Sequence, residues 1–222
     1  MTGEPLLVAL HGLLRRTYDL RAQLLPIGSY VIGDLGLRAI YARGFHEVRS
    51  ETGAGARLLV RDTGSSVRAC IYYPDAMIRH LERRPPQHGL DEDNVDAFAV
   101  LVEELDHLLV ANERAHAGRG VSLLELEVQA NVSKDLVLSR FLARGGRYLG
   151  AGQQEWLRHH LFHARRYCDD DPEVRGRYED AARIALKFLR TLQAHSRARR
   201  LDMLRRFHRA SLEGKRDLSE GR

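Results

Sequence analysis

The chain has 222 residues, of which 44% are apolar and 29% are charged. This is the composition of an ordinary globular protein, and it excludes a disordered chain, a collagen and a disulfide scaffold. The longest charge-free run near the N-terminus, residues 22–33, is too short to span a membrane. The apolar residues 6–14 follow Glu4 rather than a basic segment, so they do not have the pattern of a signal peptide.

The two cysteines, Cys70 and Cys168, suit a reducing compartment, and we expect a cytoplasmic protein with no membrane association. Cys70 lies in a predicted strand, and the three aspartates that follow Cys168 disfavour its thiolate. Neither cysteine is therefore expected to act as a nucleophile. The sequence also contains no glycine-rich phosphate-binding loop and no Gly-x-Ser-x-Gly motif.

The net charge of +5 is unevenly distributed along the chain. Residues 172–222 hold 14 Lys and Arg against 7 Asp and Glu, a net charge of +7, whereas residues 1–171 hold 21 against 23, a net charge of −2. A basic C-terminal segment is able to contact nucleic acid or an acidic protein partner. No nucleic-acid-binding motif accompanies the charge, so we favour a solvated helix face and expect no nucleic-acid binding.

The first part of the chain begins with helical patterning. The spacing of apolar residues predicts a helix over 6–25, ended by Pro26. The next stretch, 28–44, is apolar and interrupted by glycines, and its pattern fits a helix or a strand equally well.

Two β-rich runs, 57–62 and 67–73, are joined by Thr63-Gly64-Ser65-Ser66, which is typical of a β-hairpin. Asp75 is then predicted to cap a short helix that ends before Pro85-Pro86. A stretch of Pro, His and Gly up to Gly89 marks the predicted boundary between an N-terminal α/β part, 1–90, and a helical part, 91–222.

The second part is helical throughout, so we predict an α+β fold with a small N-terminal sheet and a mainly helical C-terminal half. Ser122 and Glu125 form a predicted capping box, and Gly145-Gly146 ends the helix that they begin. The predicted helices cover 94–112, 122–144, 153–168 and 173–210, the last interrupted near Ser196.

The helix over 94–112 carries a short polar patch in apolar surroundings. Its strongly polar residues between positions 97 and 111 are Glu103, Glu104, Asp106 and His107, and they share one face. Apolar residues lie on that face above and below the patch. Such a cluster needs partners, and a metal ion is one efficient partner. The alternative is an amphipathic helix whose charged residues face water or arginines.

Glu103 and His107 are four residues apart, so their side chains stand one turn apart on the same face and are able to hold one cation. Glu104 lies beside them, where a general base would accept a proton from a metal-bound water. A third ligand is needed, and Glu127 on the next helix is the candidate because the capping box already accounts for Glu125.

The segment Glu103-Glu104-Leu105-Asp106-His107 resembles the zincin motif His-Glu-x-x-His with its first His replaced by Glu. The segment Glu127-Val128-Gln129-Ala130-Asn131 resembles the Glu-x-x-Ala-Asn stretch of the ImmA/IrrE-type metallopeptidases, and glutamate-zincins place their third ligand on a following helix. The resemblance covers about residues 55–140, and the hairpin fits it, since zincins pack a small sheet over the metal helix.

The resemblance implies metal ligands at His107 and Glu127, a general base at Glu104 and a protein substrate for a hydrolytic water. The replacement of His by Glu103 adds negative charge, which makes a bound zinc ion a weaker Lewis acid. We expect zinc from the resemblance, while the added charge makes iron or manganese the alternatives. The protein is then a zincin-like metal-binding protein or a degenerate metallopeptidase. The alternative function is a non-enzymatic binding module that contacts a partner through its basic C-terminal helix.

Two other groups of residues are weaker candidates. Glu104 and His107 also form a Glu-x-x-His pair of the kind found in dimetal helical bundles, but the second pair, Glu113 and His116, lies at the end of the same helix. The cluster of His159, His160 and His163 could supply a ligand or a proton donor, although nearby arginines favour a solvated face.

Overall fold

In a computed structural model, the chain adopts an α+β fold with a small sheet near its N-terminus and a mainly helical C-terminal half. The fold class predicted from the sequence is confirmed. The structure describes residues 4–22, 26–43, 55–62, 67–143, 149–163 and 171–221. None of the described helices combines the length and the apolar composition that a membrane-spanning segment requires.

The N-terminal part contains a three-stranded mixed sheet flanked by helices. The middle strand, β3, pairs in parallel with β1 and antiparallel with β2, with Leu59 opposite Cys70. The hairpin prediction is confirmed, while its turn, 63–66, lies outside the described residues. The elements are α1 (Leu6–Tyr18), β1 (Val31–Ile32), α2 (Asp34–Ala42), β2 (Arg57–Asp62), β3 (Val67–Tyr72) and α3 (Asp75–Arg83).

The C-terminal part is built from helices that pack on one another and on the sheet. Its two central helices, α4 and α5, contact each other along their length, and α7 packs against α5. The elements are α4 (Val95–His116), α5 (Leu123–Leu142), α6 (Ala151–Arg158), a π-helical turn (His159–His163), α7 (Pro172–Gln193), α8 (Arg197–Arg209) and α9 (Leu212–Ser219).

The hairpin packs on α4, as the sequence predicted. Leu58 and Ile71 are buried in the face that meets the helix, and the Tyr73 hydroxyl donates a hydrogen bond of 2.7 Å to the carbonyl oxygen of Leu101. One hydrophobic core includes buried residues from both the sheet and the C-terminal helices. The sheet is therefore fixed directly over the helix that carries the polar patch.

The prediction for the first helix is wrong about where it ends. Helix α1 stops at Tyr18 because Asp19 adopts a left-handed backbone conformation, with φ of 56°. Aspartate tolerates this conformation better than most residues. The next residue closes the turn, since the Leu20 N–H donates to the Arg15 carbonyl. The remainder of the predicted span, from position 23 to 25, lies outside the described residues.

The undecided stretch 28–44 contains a 3₁₀ turn, then β1, then α2. Asp75 was predicted to cap its own helix, and that prediction is wrong: Pro74 occupies the cap position of α3. The Asp75 carboxylate instead accepts a hydrogen bond from the Asp34 N–H, while Asp34 accepts one from the Asp75 N–H and another from the Tyr72 hydroxyl. The two helix starts therefore cap each other across the sheet.

Helix α5 begins where it was predicted to begin, with the Ser122 hydroxyl accepting a hydrogen bond from the Glu125 N–H. The side chain of Glu125 forms an ion pair with Arg114, so the capping-box interpretation of that carboxylate is wrong. The predicted end at Gly145-Gly146 lies outside the described residues.

Other boundaries differ by a turn or more. Helix α4 extends one turn beyond position 112, to His116, and the helix predicted over 153–168 gives way to the π-helical turn at His159. The break predicted near Ser196 is confirmed, because the Ser196 hydroxyl caps α8. Ser211 caps a further helix, α9, which lies beyond position 210, where the sequence predicted no element.

Candidate metal centre

The contact between α4 and α5 brings Glu103, His107 and Glu127 together. One ligand atom from each of these side chains lies within 4.8 Å of the other two. The three residues are 2%, 4% and 6% exposed, respectively, so the cluster is buried. Spacing by four places the first two on one face of α4, and the packing of α5 supplies the third from the opposite side. This is the arrangement that the sequence predicted for a single cation.

His107 and Glu127 interact directly, with 3.6 Å between Nε2 and Oε1. Burial lowers the pKa of His107, but the neighbouring carboxylates, Glu127 foremost, outweigh it and raise that pKa to about 9. His107 Nδ1 is buried and has no hydrogen-bond partner among the described residues.

Glu103 has a partner that the sequence analysis did not identify. Lys134 Nζ lies 2.8 Å from Glu103 Oε2, and both side chains are 2% exposed. Lys134 follows Glu127 by seven residues, or about two turns of α5, so it reaches the same face. This spacing, and the rarity of lysine in an arginine-rich chain, are the features of the sequence from which the contact could have been predicted.

Glu104 is fully buried beside the cluster, between α4 and the sheet. Burial raises its pKa to about 8; His107 opposes this shift, and the other carboxylates of the cluster add to it. The backbone N–H of Leu58, on β2, donates a hydrogen bond to this carboxyl group. The predicted general base therefore lies next to the predicted ligands, held between α4 and the sheet.

A residue from α7 also lies near the cluster. Tyr178 is buried, and its pKa is raised by burial and by the charges of Glu127 and Glu103. The sequence did not predict its place in the site, because three further elements separate α7 from α4. Its position became apparent only from the packing of α7 on α5.

Asp106, which belongs to the same polar patch in the sequence, takes part in a different group of contacts. It accepts a hydrogen bond of 2.6 Å from the Ser133 hydroxyl, and that hydroxyl lies 2.7 Å from the hydroxyl of Tyr18. Burial raises the pKa of Asp106 to about 6, and its hydrogen bond with Ser133 opposes this. Asp106 thus connects α4 to α1 and α5 rather than joining the three candidate ligands.

A second buried lysine lies in this neighbouring group. Lys215 Nζ is 2.6 Å from both Gln129 Oε1 and the Phe207 carbonyl oxygen, and it lies over the Phe207 ring. Burial lowers the pKa of Lys215 to about 7. These contacts hold α9 against α5 and α8, away from the candidate ligands.

The second Glu-x-x-His pair does not join the cluster. Glu113 accepts a hydrogen bond of 2.6 Å from the Ala22 N–H, and His116 is exposed. The structure therefore provides no second pair facing Glu104 and His107 within the described residues.

The histidine cluster lies in the π-helical turn, where His159 and His163 are exposed. His160 contacts the Glu92 carboxylate at 3.1 Å, and the indole N–H of Trp156 donates to the same carboxylate. Cys70 is half-buried, and burial raises its pKa, which disfavours the thiolate. Cys168 lies outside the described residues.

Part of the basic charge of the C-terminal segment is used within the chain. Arg200 donates hydrogen bonds to the carbonyl oxygens of His195 and Gln193. Arg209 pairs with Asp19 at 2.6 Å. These contacts place arginines at helix ends and against α1, where they hold the C-terminal helices in position.

Comparisons with protein-family models, with curated proteins and with solved structures find no match for this chain.

Proposed function

We propose that this protein binds a divalent metal ion through Glu103, His107 and Glu127. The observation that carries the proposal is the convergence of these three buried side chains within 4.8 Å. Carboxylate and imidazole groups bind zinc, iron and manganese, and a set of two carboxylates and one imidazole suits all three metals. The additional buried carboxylate of Glu104 further supports a cation at this position.

A buried network of ion pairs is the competing explanation, and specific contacts favour it. Glu103 pairs with Lys134, and a protonated His107 pairs with Glu127, so these charges balance without a metal ion. A metal ion would replace the proton on His107, since imidazole binds metals in its neutral form. Metal binding would therefore release protons, whereas a purely structural network would take up no metal.

Metal analysis of protein purified without an affinity tag tests the proposal. We expect about one equivalent of a divalent metal per chain after incubation and desalting, and less in Glu127→Gln. Glu213→Gln is the matched control, because Glu213 is an exposed carboxylate on α9. Equal metal content in all three proteins, or none in the wild type, would contradict the proposal.

Metal-dependent hydrolysis is the second candidate function, in line with the resemblance to the zincins. The position of Glu104 supports it, because this carboxyl group interacts electrostatically with all three candidate ligands. Glu104→Gln should retain the metal and abolish turnover of a peptide or casein substrate. Equal turnover in the variant and the wild type would exclude Glu104 as the base. The burial of the ligands makes metal binding the better-supported part of the proposal.

A further inference from the structure

The carboxylate of Glu103 is placed to meet two cations. One is the ammonium group of Lys134, which lies 2.8 Å from Oε2. The other is the metal ion proposed above, which Glu103 would bind together with His107 and Glu127. An ion held by these three side chains would therefore share the carboxylate of Glu103 with the ammonium group of Lys134.

We propose that Lys134 is a built-in counter-cation that compensates Glu103 when the site is empty and lowers the affinity of the site for a divalent ion. This inference rests on the proposed metal site. It assigns Lys134 a regulatory role there, because the lysine sets how tightly the ion is held rather than binding it.

Distance and burial give the direction of the effect. Metal–ligand bonds are about 2 Å long, so an ion bound to Glu103 would lie only a few ångströms from Lys134 Nζ. Two positive charges at that separation repel each other strongly, and the repulsion is poorly screened where both side chains are 2% exposed. The same lysine stabilises the metal-free state, because an uncompensated buried carboxylate is very unfavourable.

The arrangement on α5 makes this role specific. Glu127 and Lys134 project from the same helix, two turns apart, so one helix supplies both a ligand and the competing cation. The lysine therefore compensates the buried carboxylate when no ion is bound and opposes an ion that binds.

The test compares the metal affinity of full-length Lys134→Met with that of the wild type. Dissociation constants for Zn²⁺ and for Mn²⁺, each added alone, are measured by competition with a chromogenic chelator at one pH. Removing the ammonium charge should tighten binding by at least about tenfold. Lys215→Met is the matched control, since it removes a second buried lysine that does not contact the three ligands, and it should leave the dissociation constant unchanged.

Thermal stability gives a second readout. Lys134→Met should melt at a lower temperature than the wild type without metal, and added metal should raise its melting temperature more than that of the wild type. If Lys134→Met does not fold, the dissociation constants are measured on Lys134→Gln instead. Glutamine removes the charge but keeps a neutral hydrogen-bond donor for Glu103.

The outcomes separate this inference from the function on which it rests. Metal binding by the wild type with equal or weaker binding by both Lys134 variants would overturn the role of Lys134 and leave the metal site standing. Failure of the wild type and of both variants to bind either metal would overturn the metal site and this inference together.

Discussion

His107 and Glu127 face each other across the contact between α4 and α5, with 3.6 Å between Nε2 and Oε1 and both side chains buried. The two residues come from consecutive helices, and their interaction joins the helices within the buried polar patch of α4. A histidine and a carboxylate in this position either form a permanent ion pair or share a cation. Each alternative predicts a different response to metal and to substitution.

Metal should stabilise the wild-type protein, and Glu127→Gln should reduce that gain. A metal ion at about 100 times its dissociation constant raises the free energy of unfolding by roughly 2.7 kcal/mol, provided that it binds only the folded state. The amide of glutamine keeps the shape of the side chain but lacks the charge that binds the cation. Melting curves of both proteins, recorded with metal and with chelator, measure how much the metal stabilises each of them.

Glu213→Gln is the control for this comparison. Metal should stabilise it as much as the wild type, because the side chain of Glu213 is exposed on α9. If chelator and metal give the same wild-type melting temperature, the cluster is an ion-pair network and not a metal site.

Arg114→Met should destabilise the protein by about 3–5 kcal/mol, because it removes one partner of a buried ion pair and leaves the Glu125 carboxylate uncompensated. The guanidinium group of Arg114 also donates to the carbonyl oxygens of His208, Arg209 and Ala210, so the end of α8 loses its cap as well. Urea unfolding of the wild type and the variant measures the loss.

A double variant distinguishes the effect of the uncompensated Glu125 charge from the effect of losing the Arg114 side chain. Arg114→Met combined with Glu125→Met should be less destabilised than Arg114→Met alone, because no buried charge then remains. Arg119→Met is the surface control and should change the free energy of unfolding by less than about 0.5 kcal/mol. Equal losses for the surface and buried arginines would show that the pair adds nothing to stability.

Gly36→Ala and Gly176→Ala should change stability in opposite directions. A Cβ atom at Gly36 would lie 2.7 Å from Ile32 Cβ, so α2 would have to move away from β1, at a cost of about 1–3 kcal/mol. A Cβ atom at Gly176 meets nothing within 4 Å, and alanine there should stabilise α7 by up to about 1 kcal/mol. Denaturant midpoints of both variants test the pair, and a loss of stability in both would contradict this account.

The candidate ligands were predictable from the sequence because their signal is local. Glu103 and His107 share a helix face at a spacing of four, and Glu127 follows on the next helix with apolar neighbours. Tyr178 was missed because it enters the site through the packing of α7 on α5, which no local pattern encodes. Lys134 did have a local signal, its spacing of seven residues from Glu127 on the same helix. The alternative prediction, a polar face of α4 exposed to water, is wrong because the patch is buried. That burial comes from helices that follow α4 in the chain and pack around it, so it could not be predicted from the α4 sequence alone.

The elements show the same division between local and long-range causes. The hairpin over 57–73 was predictable from alternating β-rich residues and their glycine-containing turn. Asp75 was assigned to the wrong helix start, because its partner, Asp34, lies on an element 41 residues earlier in the chain. The early end of α1 depends on a single left-handed residue, Asp19, whose conformation does not follow from apolar periodicity.

The stability of the wild type should fall on acidification partly because of His208, and His208→Phe should remove that part. The imidazole is buried against the ring of Tyr18, with 4.7 Å between the ring centres. Burial lowers its pKa from the ordinary 6.5 to about 3, and the positive charges of Lys215, Arg114 and Arg209 add to the shift.

The sign follows from the order of the two pKa values. Between about pH 3 and 6.5 the unfolded chain protonates His208 and the folded chain does not, so acid favours unfolding. The stabilising contribution is complete above pH 6.5 and decreases as the pH falls towards 3, with a slope of up to about 1.4 kcal/mol per pH unit. Phenylalanine keeps the stacking on Tyr18 and carries no proton, so the variant should lose stability less steeply over this range.

Urea unfolding at pH 7, 6, 5 and 4 measures the two slopes, and the difference between them isolates His208 from the other groups that titrate in both proteins. His116→Phe is the matched control, because His116 is exposed at the end of α4 and its substitution should leave the wild-type slope intact. A slope for His208→Phe equal to that of the wild type would mean that His208 takes up its proton over the same pH range in the folded and the unfolded chain. Its burial against Tyr18 would then require a compensating anion close to the ring.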